Sequence, residues 1–385
     1  MAGGASRHFA AVGGSDGRLR ARGRALCAHV GGAQSADLSL ARGAAPIGQQ
    51  SFQPAGYRRR SAATPFNWLW RTPSYLRELG GVVGERIAAA ALALTEGIGW
   101  QTIKRLLNAF GTPQDVLKAK PEQLERLRGI SAQVKSNLAQ LDLARLTDDL
   151  ARWRAEGIHY ALWYEADYPT AFARLESRPL IVFWRGTALP EPLRTIAIVG
   201  TRQASAETKA RTAQWSAALA ERGWAILSGL ARGVDIIAHR AAISRQGYSG
   251  AVLGCGLLRL YPAEHAALAA RLQRNGFLLS EYAPDQLVRP DWLVLRNRLI
   301  AALCRAVIVM EAPAESGALH TARFAQQLGV PLFAVPNSEG NRALLATYAQ
   351  NLPETPEAFL EMLQSLPYPP EQSNACAQTR PLFEE

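Results

Sequence analysis

Between Thr195 and Pro336 the chain repeats one pattern: a short apolar run, a cluster of glycine, small hydroxyl and charged residues, then a helix-length stretch. The runs include Thr195–Val199, Ala225–Leu227, Ala251–Leu253, Phe277–Leu279 and Ala306–Met310. Short apolar runs alternating with helical stretches indicate a parallel sheet covered on both faces. In such a sheet the strand C-termini open onto one crevice, and ligands bind there. Function is therefore expected in the loops that follow these runs.

The pattern predicts strands at 195–199, 224–228, 250–254, 277–281, 306–311 and 331–335. Helices are expected at 205–222, 234–246, 263–275, 296–304, 317–328 and near 342–350. The expected fold class is α/β, an extended Rossmann-like parallel sheet over 191–352, preceded by a small all-α domain.

That preceding domain spans 82–150. Ile103, Leu106, Leu107 and Phe110 share one helical face, and Thr112-Pro113 supplies a cap and a first-turn proline. Glycine turns at Gly97-Ile-Gly99 and Gly129 resemble a helix-hairpin-helix or SAM-like unit. Two readings stand side by side: amides of these turns touch a nucleic-acid phosphate, or the glycines only permit tight turns in a protein-contact module. Residues 151–190 are expected to connect the domains, with short strands at His159–Trp163 and Leu180–Trp184 around Asp167-Tyr-Pro169. Residues 353–385 hold six prolines and read as a tail.

Charge needs to be placed before it is interpreted. Of the net +11, residues 1–71 supply +8, from ten arginines against Asp16 and Asp37. Residues 1–75 read as a disordered basic tail. Anion binding by the rest must come from local placement of charge. Four scattered cysteines without a CxxC pair indicate neither disulfides nor zinc, consistent with a cytoplasmic location. No apolar run reaches membrane-spanning length.

The loops carry phosphate-binding chemistry. Gly200 permits a tight turn, Thr201 offers a hydroxyl, and Arg202 brings a fixed charge suited to bidentate contact. Around Ser228, Gly229 and Gly233 let the backbone approach an anion closely. Asp235 and His239 are four apart on one helical face and are expected to brace that loop by hydrogen bonding. Arg296, Asn297 and Arg298 bring two guanidiniums, one of which can pair with Glu281 or Glu311. Ser316 and Gly317 open a helix whose dipole favours an anion. No third glycine follows Gly254-Cys-Gly256 and no P-loop is present, so neither a nucleotide cofactor nor a metal is expected. No catalytic set accompanies these loops, and no enzyme activity is expected.

In this order, these segments resemble the DNA-processing protein A (DprA/Smf) family. The resemblance rests on Val199–Arg202, Ser228–Asp235 with His239, Gly254–Gly256 with Tyr261-Pro262, Arg296–Ile300, Ser316-Gly317 and Ala334–Pro336. It extends to Thr95–Gly99, Leu106–Pro113 and Asp167–Pro169, and so covers about residues 90–350. It implies a dimeric, cofactor-free protein that binds single-stranded DNA without sequence preference. Such a protein protects incoming strands in natural transformation and loads RecA recombinase. Arg202 would be a principal phosphate contact, with Gly229–Gly233 and Arg296–Arg298 shaping the pocket.

Three departures stand out. Glu315 occupies a position that is usually basic, Asn337 replaces a glycine ahead of a short loop to Gly340, and no winged helix is expected at the C-terminus. Two other readings stay open: a nucleotide-processing enzyme of phosphoribohydrolase type, and a degenerate member that keeps only protein contacts.

Overall fold

A computed structural model describes residues 80–367, apart from 188, 190 and 191. The basic tail expected at 1–75 and most of the expected C-terminal tail lie outside the described residues.

The N-terminal part is helical: α1 (Gly80–Leu94), α2 (Trp100–Phe110), α3 (Pro113–Lys118), α4 (Pro121–Arg126), α5 (Ala132–Ala139) and α6 (Leu143–Ala155). Ile103 and Leu106 of α2 are fully buried. Thr112 and Asp115 cap α3 reciprocally, with Pro113 in its first turn.

A nine-stranded sheet follows, in the order β1-β2-β6-β5-β4-β3-β7-β8-β9. Its strands are β1 (Ile158–Leu162), β2 (Ile181–Gly186), β3 (Thr195–Val199), β4 (Ala225–Ser228), β5 (Ser249–Val252), β6 (Gly276–Ser280), β7 (Ala306–Val309), β8 (Leu332–Ala334) and β9 (Gln350–Asn351). Strands β3 to β8 run parallel, as the apolar runs predicted, and β9, where the end of a helix was expected, adds a further parallel strand beside β8. The crossovers are α7 (Ala206–Glu221), α8 (Val234–Ser244), α9 (Ala266–Asn275), α10 (Pro290–Leu295), α11 (Asn297–Ala302), α12 (Ala318–Gln327) and α13 (Glu339–Leu345).

Residues along β3 point alternately into two cores. Ile196 and Ile198 pack with α7 and α8, whereas Ala197 and Val199 join the cluster that holds α11, α12 and the N-terminal helices. Both faces are thus covered, which explains why the strands carry no polar alternation.

Residues 151–190, read from sequence as a connecting segment, extend the sheet. The expected strands form, but β2 pairs antiparallel with β6 and β1 antiparallel with β2. Part of the expected C-terminal tail is also folded. Thr355 caps α14 (Pro356–Ser365), and Phe359 packs edge-on against Trp215 and Phe333. Arg305 donates to the carbonyls of Leu363 and Leu366 at 2.7 and 2.5 Å, satisfying groups that a helix end leaves open.

Strand order reverses beside β3: β4, β5 and β6 lie on one side, β7 and β8 on the other. The loops after β3 and β7 therefore diverge and leave a crevice between them.

Candidate functional site

An open cleft of about 850 Å³ occupies this crevice. Val199–Gln203 form one wall, Pro313 and Glu315–Ala318 a second, and α10 with Arg296 and Asn297 a third.

The turn after β3 is fixed by main-chain bonds: Thr201 N donates to Glu311 O at 2.7 Å, and Val234 N to Thr201 O at 3.2 Å. The second bond requires Gly233, whose φ is +76° and where a Cβ would lie 2.2 Å from Thr201 O. Glu311 also accepts from Ser205 N and Oγ at 3.0 and 2.9 Å, so it braces the Thr201–Ser205 loop. Arg202 projects from this turn, is exposed, and has no hydrogen-bond or ion-pair partner among the described residues.

Arg296 lies under the same cleft but is 6% exposed. Its Nη1 donates to Gly229 O at 2.7 Å and to Val252 O, and its Nε donates to Asn297 Oδ1 at 2.8 Å. The guanidinium thus ties the ends of β4 and β5 together. Burial lowers its pKa, Asp235 opposes this, and the nearby Arg202 charge works in the same direction as burial. Guanidinium basicity is high enough for Arg296 to stay charged.

Asp235 Oδ2 accepts from Gly229 N and Ala231 N at 3.0 and 3.2 Å, holding the loop as expected. Burial pushes its carboxyl up, while Arg296 and the two amides pull it down. His239 does not share in this bracing. Its Nδ1 lies 2.8 Å from Ser249 Oγ, beneath the sheet end, and burial pushes its pKa down to about 3. Ser228 Oγ is likewise turned inward, donating to Ile198 O at 2.7 Å.

Arg298 requires a correction. It does not line this cleft; it sits in a separate pocket and pairs with Glu281, Nη1–Oε1 and Nη2–Oε2 both 2.6 Å. Burial opposes its charge, but the Glu281 carboxylate outweighs that and raises its pKa. Arg298 and Glu281 therefore form an internal clamp, and the cleft holds two arginines. Residues two apart on a helix point to different sides, so the spacing of Arg296 and Arg298 already carried this signal.

Five more of the predicted residues converge. Gly200, Thr201, Asn297, Ser316 and Gly317 all line the cleft, and the start of α12 brings its positive dipole end to the rim. Glu315 is exposed on the same rim. Asn337, the other departure, is used inside the fold, donating to Thr208 Oγ1 and Met310 O at 3.1 and 3.0 Å. Sequence reasoning missed α10, whose Pro290, Leu293 and Val294 complete the cleft wall. Its signal was Pro290 at the first helical position. Cys255 and Cys304 are buried, and burial raises both thiols, Cys304 to about 12, so neither is poised as a nucleophile. Among the described residues no group of three or more His, Cys, Asp and Glu is placed to hold a metal, and no helix is long and apolar enough to cross a membrane.

Comparison with known proteins identifies the family to which this fold belongs. Residues 159–364 match the model of the family described as DNA recombination-mediator protein A. Protein Smf of Synechocystis sp. is 31% identical over 253 residues, covering 64% of this chain and 64% of that protein. DNA processing protein DprA of Bacillus subtilis is 33% identical over 209 residues, covering 54% of this chain and 70% of that one. The X-ray structure of DNA processing protein A from Streptococcus pneumoniae superposes with a TM-score of 0.61 at 26% identity, covering 74% of this chain and 98% of that chain. The chain thus spans less than two thirds of the Synechocystis protein's length. The matched stretch begins in β1 and ends in α14, so it takes in the whole sheet with its cleft. On these grounds the chain belongs to the DNA recombination-mediator protein A family.

Proposed function

We propose that the chain is a sequence-independent single-stranded DNA-binding protein without catalytic activity, acting in DNA processing during natural transformation and recombination. One observation carries this reading. Arg202 stands exposed at the switch point of the sheet, without a partner among the described residues and close to the buried charge of Arg296. Asp235, buried behind the cleft, offsets part of the Arg296 charge, but Arg202 has no acidic partner among the described residues, and two guanidiniums on one cleft favour an anion in the space they share. Guanidinium and main-chain groups recognise the phosphates of the sugar–phosphate backbone rather than base edges, so they grip any sequence. The titratable groups behind the cleft are occupied elsewhere: Asp235 with loop amides and His239 with Ser249. Neither is left as a general base.

On the same reading the protein works in the cytoplasm as a homodimer, needs no cofactor, and passes the strand to RecA recombinase. Pull-down of RecA and sedimentation of the purified chain test those two partners. The central test is fluorescence anisotropy of labelled oligo-dT at two salt concentrations, with wild type and Arg202→Ala. Wild type should bind, more weakly at high salt, and the variant should lose about tenfold or more. Equal affinity of the two proteins would sink the reading.

A further inference from the structure

A second pocket, of about 470 Å³, lies on the far side of α10. Trp292 and Leu295 face it, whereas Leu293 and Val294 of the same helix face the cleft described above. Its opposite wall is the Ile98–Trp100 turn of the helical module, and its floor is the Arg298–Glu281 clamp. Arg298 Nε also donates to Ser177 O at 3.0 Å, which fixes the third side.

Three aromatic rings and three guanidiniums are among its lining side chains. Arg178 lies 3.3 Å above the Trp100 ring, and Arg289 lies 5.0 Å from that of Trp292. Trp292 in turn stacks on Tyr282, with centroids 3.9 Å apart and planes within 8°. A contact whose only role was to join two domains would be close-packed. Here flat rings and guanidinium planes border open space of a size suited to a small planar ligand. The carboxylates present are countered: Glu281 by Arg298, and Glu96 by Arg289 at 3.8 Å.

We propose that this pocket is a second nucleotide subsite, which takes a base of the same DNA strand that crosses the cleft. The inference rests on the function proposed above. The cleft grips phosphate, α10 is the ridge the strand passes over, and a base in the second pocket packs against the rings and guanidiniums that border its open space. The helical module then contributes through Trp100 and its glycine turn, not only by supporting the sheet.

The experiment compares short and long oligo-dT binding by wild type, Arg202→Ala, Trp100→Ala and the exposed-site variant Arg289→Ala. It adds photo-crosslinking of an oligonucleotide carrying 5-iododeoxyuridine, with peptide mapping. Arg202→Ala should weaken every length. Trp100→Ala and Arg289→Ala should weaken only the long oligonucleotides, Trp100→Ala by about tenfold, and crosslinks should map to Trp100, Tyr282 or Trp292. Unchanged long-oligonucleotide affinity in both pocket variants, with crosslinks confined to the cleft, would overturn the subsite and leave the cleft intact. Absence of any oligonucleotide binding by wild type would overturn both.

Discussion

The guanidinium of Arg296 fills the space that a side chain on Gly229 would need: a Cβ there would stand 2.1 Å from Nη2 and 2.3 Å from Cζ. The glycine and the arginine are one device, in which a bare backbone lets a buried cation reach the carbonyls at the ends of β4 and β5. Gly229→Ala should therefore push Arg296 off Gly229 O and Val252 O. Overpacking of this kind costs about 1–3 kcal/mol, and urea unfolding should show it as a lower midpoint with an unchanged slope. A fully stable Gly229→Ala protein would mean that Arg296 is free to move.

Arg202 is the complementary case, exposed and holding nothing together. Arg202→Ala should leave the unfolding midpoint where it is while weakening DNA binding. The slope of log affinity against log salt should also become shallower by about 0.7, the value for one lost phosphate contact on a single strand. Anisotropy titrations across several salt concentrations measure this. A weakened affinity with an unchanged slope would point to a contact other than phosphate.

Much of this site was legible because its residues follow strands. An apolar run of five residues, such as Thr195–Val199, fixes where the strand ends, and strand ends in a parallel sheet share one edge. The positions of Gly200, Arg202, Gly229 and Ser316 follow from that alone. What stayed hidden depends on distant partners. Nothing in the segments around His159 and Leu180 says that β2 will pair with β6, since the register is set by β6. That one of the two arginines could pair with Glu281 was legible, but which one does so, Arg298, is set by the packing around it. Helix α14 was obscured by its prolines, although Phe359 and Leu363 are four apart and mark a buried face.

Glu315 is an exposed acid on a rim that otherwise favours anions. Replacing it with Lys should raise the affinity for oligo-dT several-fold at low salt, and the gain should shrink as salt screens the rim. Because Glu315 is exposed and makes no ion pair among the described residues, stability should not change. If Glu315→Lys left binding unchanged at every ionic strength, the strand would have to run elsewhere.

The clamp between Arg298 and Glu281 makes a prediction about stability. Both side chains are nearly enclosed, so removing one leaves the other charged and buried. Glu281→Gln should cost about 3–5 kcal/mol, read by thermal or urea unfolding. A loss under about 1 kcal/mol would be the behaviour of a surface pair.

His239 gives the fold a built-in sensitivity to acid. Ser249 Oγ already donates to Ile226 O at 2.9 Å, so the imidazole donates its Nδ1–H to Ser249 and stays neutral. Burial holds its pKa down to about 3, against 6.5 for a free histidine. Between those values the unfolded chain binds a proton that the folded chain refuses, so stability is intact above about pH 6.5 and falls as pH drops toward 3. The slope from this one group is about 1.4 kcal/mol per pH unit. Urea unfolding at pH 7 and pH 5 should reveal it, and His239→Asn, which keeps a donor but cannot titrate, should flatten that part of the curve. A His239→Asn protein as acid-sensitive as wild type would assign the titration to another group.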